Sequence, residues 1–275
     1  MGRVLAISSQ VARGAIGLSA AVPALHALGH ETVALPTVLL SNHPGHAHFA
    51  GERVSPALLH RMLDALESNG WLAGLDAILT GYLPSPDHVA FAEAAVHRVK
   101  QHSPSALYVC DPILGDYPKG LYIAMDAAVA IRSRLVAQAD VLKMNRFEAE
   151  WLSGASIANS ADVSAAARDH HWRTAIVTSL PAEHDATLTN VLITSNASPV
   201  SIDVARHDRV PHGTGDLLGA LWVAHRLRGC SVAEAFARSI DNVGLVISRS
   251  LHSDELQLAA SLKDLNRERD LGRRR

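Results

Sequence analysis

The sequence predicts an α/β fold in which helices cover both faces of a mostly parallel central sheet. Two observations favour it. Short apolar runs typical of strands alternate with helical segments along most of the 275 residues, which is the order expected for a parallel sheet. No linker, repeat or low-complexity stretch divides the chain, so residues 1–275 are expected to form one domain with a basic tail at about 266–275. Ligands of such sheets bind beyond the carboxyl ends of the strands, and functional residues are expected there.

The first half of the chain is predicted to contain four strands, at residues 3–8, 31–37, 76–81 and 106–110. A first helix is expected to reach Leu28, and Pro36 is expected to limit the second strand. Two Ser-Pro pairs, at 55–56 and 85–86, fit an N-cap residue followed by proline at the first helical position. Helices are therefore predicted from there to about residues 68 and 101. Residues 38–54 are predicted to form a loop or short edge strands.

The second half continues the alternation, with strands at 140–143 and 174–178 and helices at 126–137, 146–152 and 161–168. Runs at 188–194 and 200–205 suggest a hairpin. Two long helices then follow a glycine-rich turn at 212–215. The second of them begins with the capping-box pattern of Ser231 and Glu234, and a last helix is expected at 254–265.

Composition and charge exclude several classes of protein. Two cysteines form no disulfide framework and fit a reducing compartment. A net charge of -2 argues against a broad nucleic-acid face; the terminal DLGRRR is expected to be a solvated tail. No apolar run is long enough to span a membrane, and the first residues lack the apolar core of a signal peptide. The expected location is the cytoplasm, with no nucleic-acid or membrane partner.

The segment PHGTGDLLGALW is the most informative motif. Gly213-Thr214-Gly215 allows a tight backbone turn before a helix, where backbone N–H groups face outward at the positive end of the helix dipole. Such a turn can bind a phosphate or a developing phosphoryl charge. Asp216 follows in the first helical turn. The alternative interpretation is an ordinary N-terminal aspartate beside flexible glycines.

This segment resembles the anion-hole motif of the ribokinase-like superfamily, and six further segments make the chain similar to pyridoxal kinases from about residue 4 to residue 250. They are AISSQVARGAIG, SNHPGHAHFAG, LTGYL, YVCDPILGD, NRFEAEWLSG and IVTS. The resemblance implies a three-layer ribokinase-like sandwich and a homodimer. It also implies transfer of the ATP γ-phosphate to the 5'-hydroxymethyl group of pyridoxal or a related B6 vitamer, with Mg²⁺. It leaves a role for a monovalent cation such as K⁺ open.

The resemblance assigns catalysis to Asp216 as the base and to the N–H groups of Gly213, Thr214 and Gly215. Asp111 and Asp116 flank the turn after a strand, and paired carboxylates there suit Mg²⁺ or its water shell; otherwise they are turn aspartates.

Further residues match the nucleotide side of the family. Asn145 and Glu148 match its NxxE motif, which helps to place metal-bound water, although without the family Glu148 is an exposed first-turn glutamate. The ATP site is implied to include Thr214, the strand-end hydroxyls of Thr178 and Ser179, and Tyr122 in a flap over the nucleotide. Without the family, these last three are turn residues and a surface tyrosine.

On the substrate side, the resemblance assigns four residues: Ser9, Ile16, His43 and Tyr82. Four neighbouring positions depart from the family pattern: Gln10, Ala15, Pro44 and Phe49. The kinase chemistry is therefore better supported than the identity of the vitamer. A kinase for another heterocyclic alcohol, such as a hydroxymethylpyrimidine, and a non-catalytic binder of B6 or nucleotide stay open as alternatives.

Overall fold

Eleven strands are present in the computed structural model of the protein, which describes residues 1–265. The basic tail predicted at 266–275 lies outside the described residues. In chain order the strands are β1 (Arg3–Val11), β2 (Glu31–Leu40), β3 (Gly51–Arg53), β4 (Ala77–Thr80), β5 (Leu107–Cys110), β6 (Gly115–Asp116), β7 (Gly120–Leu121), β8 (Val141–Asn145), β9 (Thr174–Pro181), β10 (Thr187–Thr194) and β11 (Ala197–Ala205).

The helices of this part of the chain follow the predicted order. They are α1 (Leu18–Ala27), α2 (Pro56–Ser68), α3 (Pro86–His102), α4 (Met125–Arg134), α5 (Arg146–Ser153), α6 (Ser160–Asp169), α7 (Thr214–Leu227), α8 (Val232–Ser250) and α9 (Leu258–Leu265). A short 3₁₀ turn follows α4 at Val136–Gln138.

The central sheet has nine strands in the order β11-β10-β9-β8-β5-β4-β1-β2-β3. The six strands from β9 to β2 in this order run parallel to one another. Antiparallel pairs extend the sheet at both edges, through β10–β11 on one side and β3 on the other. The predicted fold class, a mostly parallel sheet, is therefore confirmed, and so is the predicted hairpin.

Alternate residues of the strands face two separate hydrophobic cores. In β4, Ile78 packs with residues of α2 to α6, whereas Ala77 and Leu79 pack with residues of α1, α7, α8 and α9. Burial of an aliphatic side chain stabilises a fold by about 1.5–3 kcal/mol, so both helical layers are held to the sheet by many such contacts. The result is a three-layer α/β/α sandwich, as predicted.

Several boundaries differ from the sequence prediction, among them those of β2, α9 and β9. Strand β2 continues past Pro36 to Leu40, because β3 pairs with β2 only from Val38 onward and no ladder partner on that edge stands opposite Pro36. Helix α9 begins at Leu258 rather than near residue 254. Strand β9 continues beyond Thr178 to Pro181, and the small ribbon formed by β6 and β7 was not predicted.

The predicted helix starts at the Ser-Pro pairs are confirmed. The side chain of Ser55 accepts a hydrogen bond from the N–H of Leu58. Ser85 precedes α3, but its hydroxyl bonds the Nδ1 of His88 rather than the backbone. Within residues 1–265, no helix combines the length and the apolar character that a membrane crossing requires.

Candidate active site

The predicted site residues gather where the parallel strands end. Asn145, the last residue of β8, lies beside Thr178 of β9 in the sheet register. Tyr82 follows β4, and its N–H donates to the hydroxyl of Ser8 in β1 at 3.0 Å. Asp111 follows β5, and its N–H donates to a carbonyl at the end of β4. Side chains that are far apart in sequence therefore lie together at the carboxyl ends of the strands.

The turn before α7 has the geometry of an anion site. Gly213 is the N-cap residue with φ of 104°, and no side chain caps the helix there. The N–H groups of the first turn have no intrahelical partners, and they stand at the positive end of the helix dipole. Anions bind readily at such a terminus. This geometry is compatible with the role predicted for Gly213, Thr214 and Gly215, which stays a prediction.

The loop between β1 and α1 packs against this turn. A Cβ atom added to Gly213 would overlap the carbonyl oxygen of Ala15 and lie 3.2 Å from Cγ2 of Ile16. A Cβ added to Gly17 would overlap the backbone and hydroxyl oxygens of Ser9. Ile16 therefore lies next to the turn of Gly213, Thr214 and Gly215 (the anion turn), and Ser9 lies next to Gly17 of the same loop. Both residues are predicted to bind substrate.

Asp216 lies at the third position of α7, and its pKa is raised to about 6. Burial is the largest cause, and the nearby charge of Asp111 adds to it. The N–H of Gly17 and the ammonium of Lys143 act in the opposite direction. A helix N-terminus favours the ionised form of a carboxylate, but burial outweighs that effect on the pKa of Asp216. At pH 7 and above the carboxylate is still the major form.

Lys143 is a site residue that the sequence reasoning missed. Its Nζ donates to Oδ2 of Asp111 at 2.8 Å, and the two side chains are only 7% and 5% exposed. Burial lowers the pKa of Lys143, but the carboxylates of Asp111, Glu148 and Asp216 outweigh burial and raise it. The available signal was a lysine inside the otherwise apolar segment VLKM.

Glu148 is buried, with 2% exposure. The alternative interpretation of this residue as an exposed first-turn glutamate is therefore wrong. Its two carboxylate oxygens accept N–H groups from Leu114 at 2.9 Å and from Asn145 at 2.8 Å. Asn145 completes the capping box by accepting the N–H of Glu148. Burial and the charge of Asp111 raise the pKa of Glu148 to about 7. The NxxE motif thus joins the start of α5 to the loop that follows Asp111.

The carboxylates of this region fit a hydrated cation. Oδ1 of Asp111 and Oδ1 of Asp116 are buried, and no described group bonds to either of them. Within residues 1–265, no cluster of three or more His, Cys, Asp or Glu side chains is arranged to enclose a metal ion. A cation here would need further ligands, and Mg²⁺ in phosphoryl-transfer sites takes them from water and substrate phosphates.

The ribbon of β6 and β7 stands over the same end of the sheet. The side-chain amide of Asn145 donates to the carbonyl of Gly115 at 2.7 Å, and the ring of Tyr117 packs edge-on against Phe147 at 5.4 Å. Tyr122 follows the ribbon and is half exposed. This placement is compatible with the predicted flap.

Thr178 and Ser179 differ in their surroundings. Thr178 is partly buried, whereas Ser179 is exposed and has φ of 65°. The register of β9 with β10 shifts at this point, opposite Asn190. The hydroxyls of Thr178 and Ser179 therefore lie where the pairing of β9 with β10 is irregular, next to Asn145 of β8.

The predicted substrate side contains a histidine pair that was not expected. His43 stacks on His212 with ring centroids 3.7 Å apart. Burial, followed by the neighbouring His212 and Lys119, lowers the pKa of His43 to about 4, so the ring is neutral near pH 7. His212 directly precedes the glycine turn, and its position there was the signal that the sequence reasoning did not use. Tyr82 is half buried, as a ring-lining residue would be.

The four positions that depart from the family pattern differ in their contacts and exposure. The side-chain amide of Gln10 donates to the hydroxyl of Ser19 at 2.8 Å, and Ala15 is buried against the glycine turn. Pro44 is exposed, and Phe49 is 54% exposed on the loop between β2 and β3. Of these four residues, Ala15 in the β1–α1 loop is the one that contacts the glycine turn, whereas Gln10 lies near the end of β1.

Comparisons with known proteins agree with this geometry. Residues 12–259 match the family model described as phosphomethylpyrimidine kinase. The chain is 33% identical to pyridoxal kinase PdxY of Deinococcus radiodurans, with 98% of this chain and 94% of the relative covered. It is 34% identical to a pyridoxine/pyridoxal/pyridoxamine kinase of Bordetella pertussis, with 94% of both chains covered. Pyridoxal kinase of Leishmania donovani, solved in complex with ADP and pyridoxamine, superposes with a TM-score of 0.89 at 28% identity, covering 96% and 95% of the two chains.

Proposed function

Because the chain belongs to the pyridoxal kinase family of the ribokinase-like superfamily, we propose that it phosphorylates the 5'-hydroxymethyl group of pyridoxal or a related B6 vitamer with ATP. The observation that carries this proposal is the position of Asp216. Its carboxyl group stands in the first turn of α7, directly after the uncapped Gly213-Thr214-Gly215 turn. A proton acceptor and an anion site are thereby adjacent, as a phosphotransferase acting on an alcohol requires.

In this reaction Asp216 takes the proton from the substrate hydroxyl as its oxygen attacks the γ-phosphorus. General-base assistance of this kind contributes roughly 10²–10⁴-fold. The N–H groups of Gly213, Thr214 and Gly215 stabilise the charge on the transferred group, and one such donor is worth about 3 kcal/mol. Alignment and charge stabilisation are most of what phosphoryl transfer needs from a protein.

The remaining assignments follow the resemblance to the family. Thr178, Ser179, Thr214, Tyr122 and Asn145 bind ATP. Ser9, Ile16, His43, Tyr82 and Asp216 bind the vitamer. Asp111, Asp116 and Glu148 would hold Mg²⁺, mainly through water. The ion supplies positive charge to the ATP phosphates, and the two unpartnered buried oxygens of Asp111 and Asp116 support its placement here. We also propose a homodimer, from the family resemblance, and a cytoplasmic location, from the two cysteines that fit a reducing compartment.

A hydroxymethylpyrimidine kinase is the second candidate function. The matching family model is described as phosphomethylpyrimidine kinase. Two altered residues also lie at this end of the sheet: Ala15 is in the loop packed against the glycine turn, and Gln10, near the end of β1, bonds Ser19 of α1. A vitamer and a hydroxymethylpyrimidine share the same reacting group, a hydroxymethyl on an aromatic heterocycle. The anion turn and Asp216 serve both reactions equally and therefore do not separate them.

A substrate panel distinguishes these functions. The full chain is incubated with ATP, Mg²⁺ and pyridoxal, pyridoxine, pyridoxamine or hydroxymethylpyrimidine, and ADP release is measured. We expect the highest kcat/KM with a B6 vitamer. Release only with the pyrimidine would establish the second candidate. Absence of release with every compound would overturn both and support a non-catalytic binder.

Glu148→Ala is expected to raise the Mg²⁺ concentration needed for half-maximal activity more than it alters vitamer affinity. The variant removes a carboxylate beside Asp111 together with its two backbone bonds. Mg²⁺ titrations of activity and vitamer Kd values measure the effect. The matched control is Glu234→Ala, which removes the same capping-box contact from α8, away from the carboxylate cluster. Identical Mg²⁺ titrations for Glu148→Ala and the control would contradict the role.

The pH dependence of turnover follows from the pKa of Asp216, which is about 6. The ionised form accepts the proton, so kcat/KM is expected to fall as the pH decreases through this value. The groups facing Asp216 are Asp111 after β5, Lys143 on β8, the N–H of Gly17 and the phenol of Tyr122 after β7.

Glu148, with a pKa of about 7, titrates in the same range, so the fall is expected to involve more than one proton. The measurement is kcat/KM against pH at saturating Mg²⁺, with the vitamer's own titration followed by its absorbance as the control. A constant kcat/KM well below pH of about 6 would contradict the assignment.

A further inference from the structure

Lys143 occupies a position that stability alone does not explain. In β8 it faces the same side of the sheet as Val141, which packs under α7, and its side chain is 7% exposed. An ion pair buried this deeply is often no more stabilising than apolar side chains of similar volume, because both charges lose their hydration. The pair of Lys143 and Asp111 therefore suggests a role in binding or chemistry.

The ammonium group lies directly against the anion turn. A Cβ atom added to Gly215 would be 2.7 Å from Nζ of Lys143, and one added to Gly219 would be 3.9 Å from Oδ2 of Asp111. The ion pair therefore lies beneath the first turn and a half of α7. Glycine at position 215 leaves the space that Nζ occupies.

The hydrogen bonding of the pair is incomplete. An ammonium has three donors, and among the described residues one bond from Nζ is seen, the one to Asp111. Oδ1 of Asp111 is buried without a described partner. Both groups can thus bind an additional ligand without losing their mutual contact.

The negative charge around Lys143 also favours a cation at this position. Four carboxylates, those of Asp111, Asp116, Glu148 and Asp216, lie at this end of the sheet, and a nucleotide triphosphate adds further negative charge. Phosphoryl transfer is accelerated by fixed positive charge beside the transferred group. Nζ is held at that place by Asp111, so it needs no rearrangement to act.

We propose that Lys143 is a catalytic residue of this kinase, donating a hydrogen bond from its ammonium to the γ-phosphoryl group of ATP during transfer, with Asp111 holding it in place. In the step, the substrate oxygen forms a bond to the γ-phosphorus. The bond from that phosphorus to the β,γ-bridging oxygen breaks, and its electron pair leaves with ADP. The hydroxyl proton passes to Asp216, and Lys143 keeps its own proton throughout. The inference rests on the proposed kinase function.

The test compares the wild type with Lys143→Met, which keeps the length of the side chain and removes its charge. We expect kcat to fall by about 10²–10³-fold, as for the loss of one charge-stabilising donor. Affinity for the β,γ-imido analogue of ATP should fall, whereas affinity for ADP should stay nearly constant, because ADP lacks the γ-group. Equal losses of affinity for the two nucleotides, or an unchanged kcat, would overturn the proposal.

Two further variants separate chemistry from folding. Lys143→Gln can still donate to Asp111, so if Lys143→Met is unstable the same kinetic and affinity measurements are made on Lys143→Gln at a normal Tm. In Lys143→Ala, added n-propylammonium should restore part of kcat, and tetramethylammonium, which has no N–H donor, should not. Equal effects of the two ions would count against a donated hydrogen bond. Absence of turnover by the wild type would refute the kinase function itself, whereas normal wild-type turnover with an active Lys143→Met refutes only the role of Lys143.

Discussion

Asp216→Asn is expected to lower kcat by about 10²-fold or more, with little change in the Kd of the vitamer. The reason is that asparagine retains the shape and the capping ability of aspartate but has no basic oxygen to accept the hydroxyl proton. A primary alcohol is a poor nucleophile, and the base matters most as the new O–P bond forms. The measurements are kcat at saturating ATP and Mg²⁺, and vitamer Kd by titration calorimetry.

The matched control for this variant is Asp162→Asn. Asp162 is the third residue of α6 and accepts N–H groups at the start of that helix, so it shares the local helical position of Asp216 without its surroundings. We expect the control to keep the wild-type kcat. Wild-type turnover by Asp216→Asn as well would show that this carboxylate only supports the helix, and the GTGD segment would then be a structural turn.

Gly213→Ala is expected to reduce both the free energy of unfolding and kcat. The residue has φ of 104°, a conformation that costs an L-residue roughly 1–2 kcal/mol. In addition, the new methyl group would overlap the carbonyl oxygen of Ala15, a backbone atom that cannot move without the whole β1–α1 loop. The N–H groups of the anion turn would be displaced, and a shift of about 1 Å in a catalytic group can lower the rate roughly 10²-fold.

Gly229→Ala is the control that separates the two contributions. Gly229 follows α7 with φ of 88°, and an added Cβ would meet nothing within 4 Å. Gly229→Ala therefore has the cost of an L-residue at positive φ without the overlap, and its kcat should stay at the wild-type value. Urea unfolding and kcat are measured for both variants. Equal stabilities and equal turnover for the two would contradict the packing of the β1–α1 loop against the anion turn.

The local patterns of the sequence determined the order of the elements and the position of the anion turn. Apolar runs, Ser-Pro pairs and a capping box report on residues that are neighbours along the chain, and the helix starts at Pro56, Pro86 and Val232 confirm them. The glycines and the aspartate of GTGD belong to the same category, because a turn and the helix after it are contiguous. Ser9, Asp111, Asn145 and Thr178 could be expected at one edge because each lies at or near the end of a predicted strand.

Tertiary structure alone decided the electrostatics of the site. Strands β5 and β8 are neighbours in the sheet but are separated by a helix and a ribbon in the chain, so the contact between Asp111 and Lys143 has no local signature. The burial of Glu148 depends on the loop that supplies the N–H of Leu114. For Asp216, the helix terminus visible in the sequence favours the carboxylate, whereas burial and the charge of Asp111 raise its pKa. Desolvation and charge pairing depend on which groups surround an atom in space, and that arrangement exists only once the chain is folded.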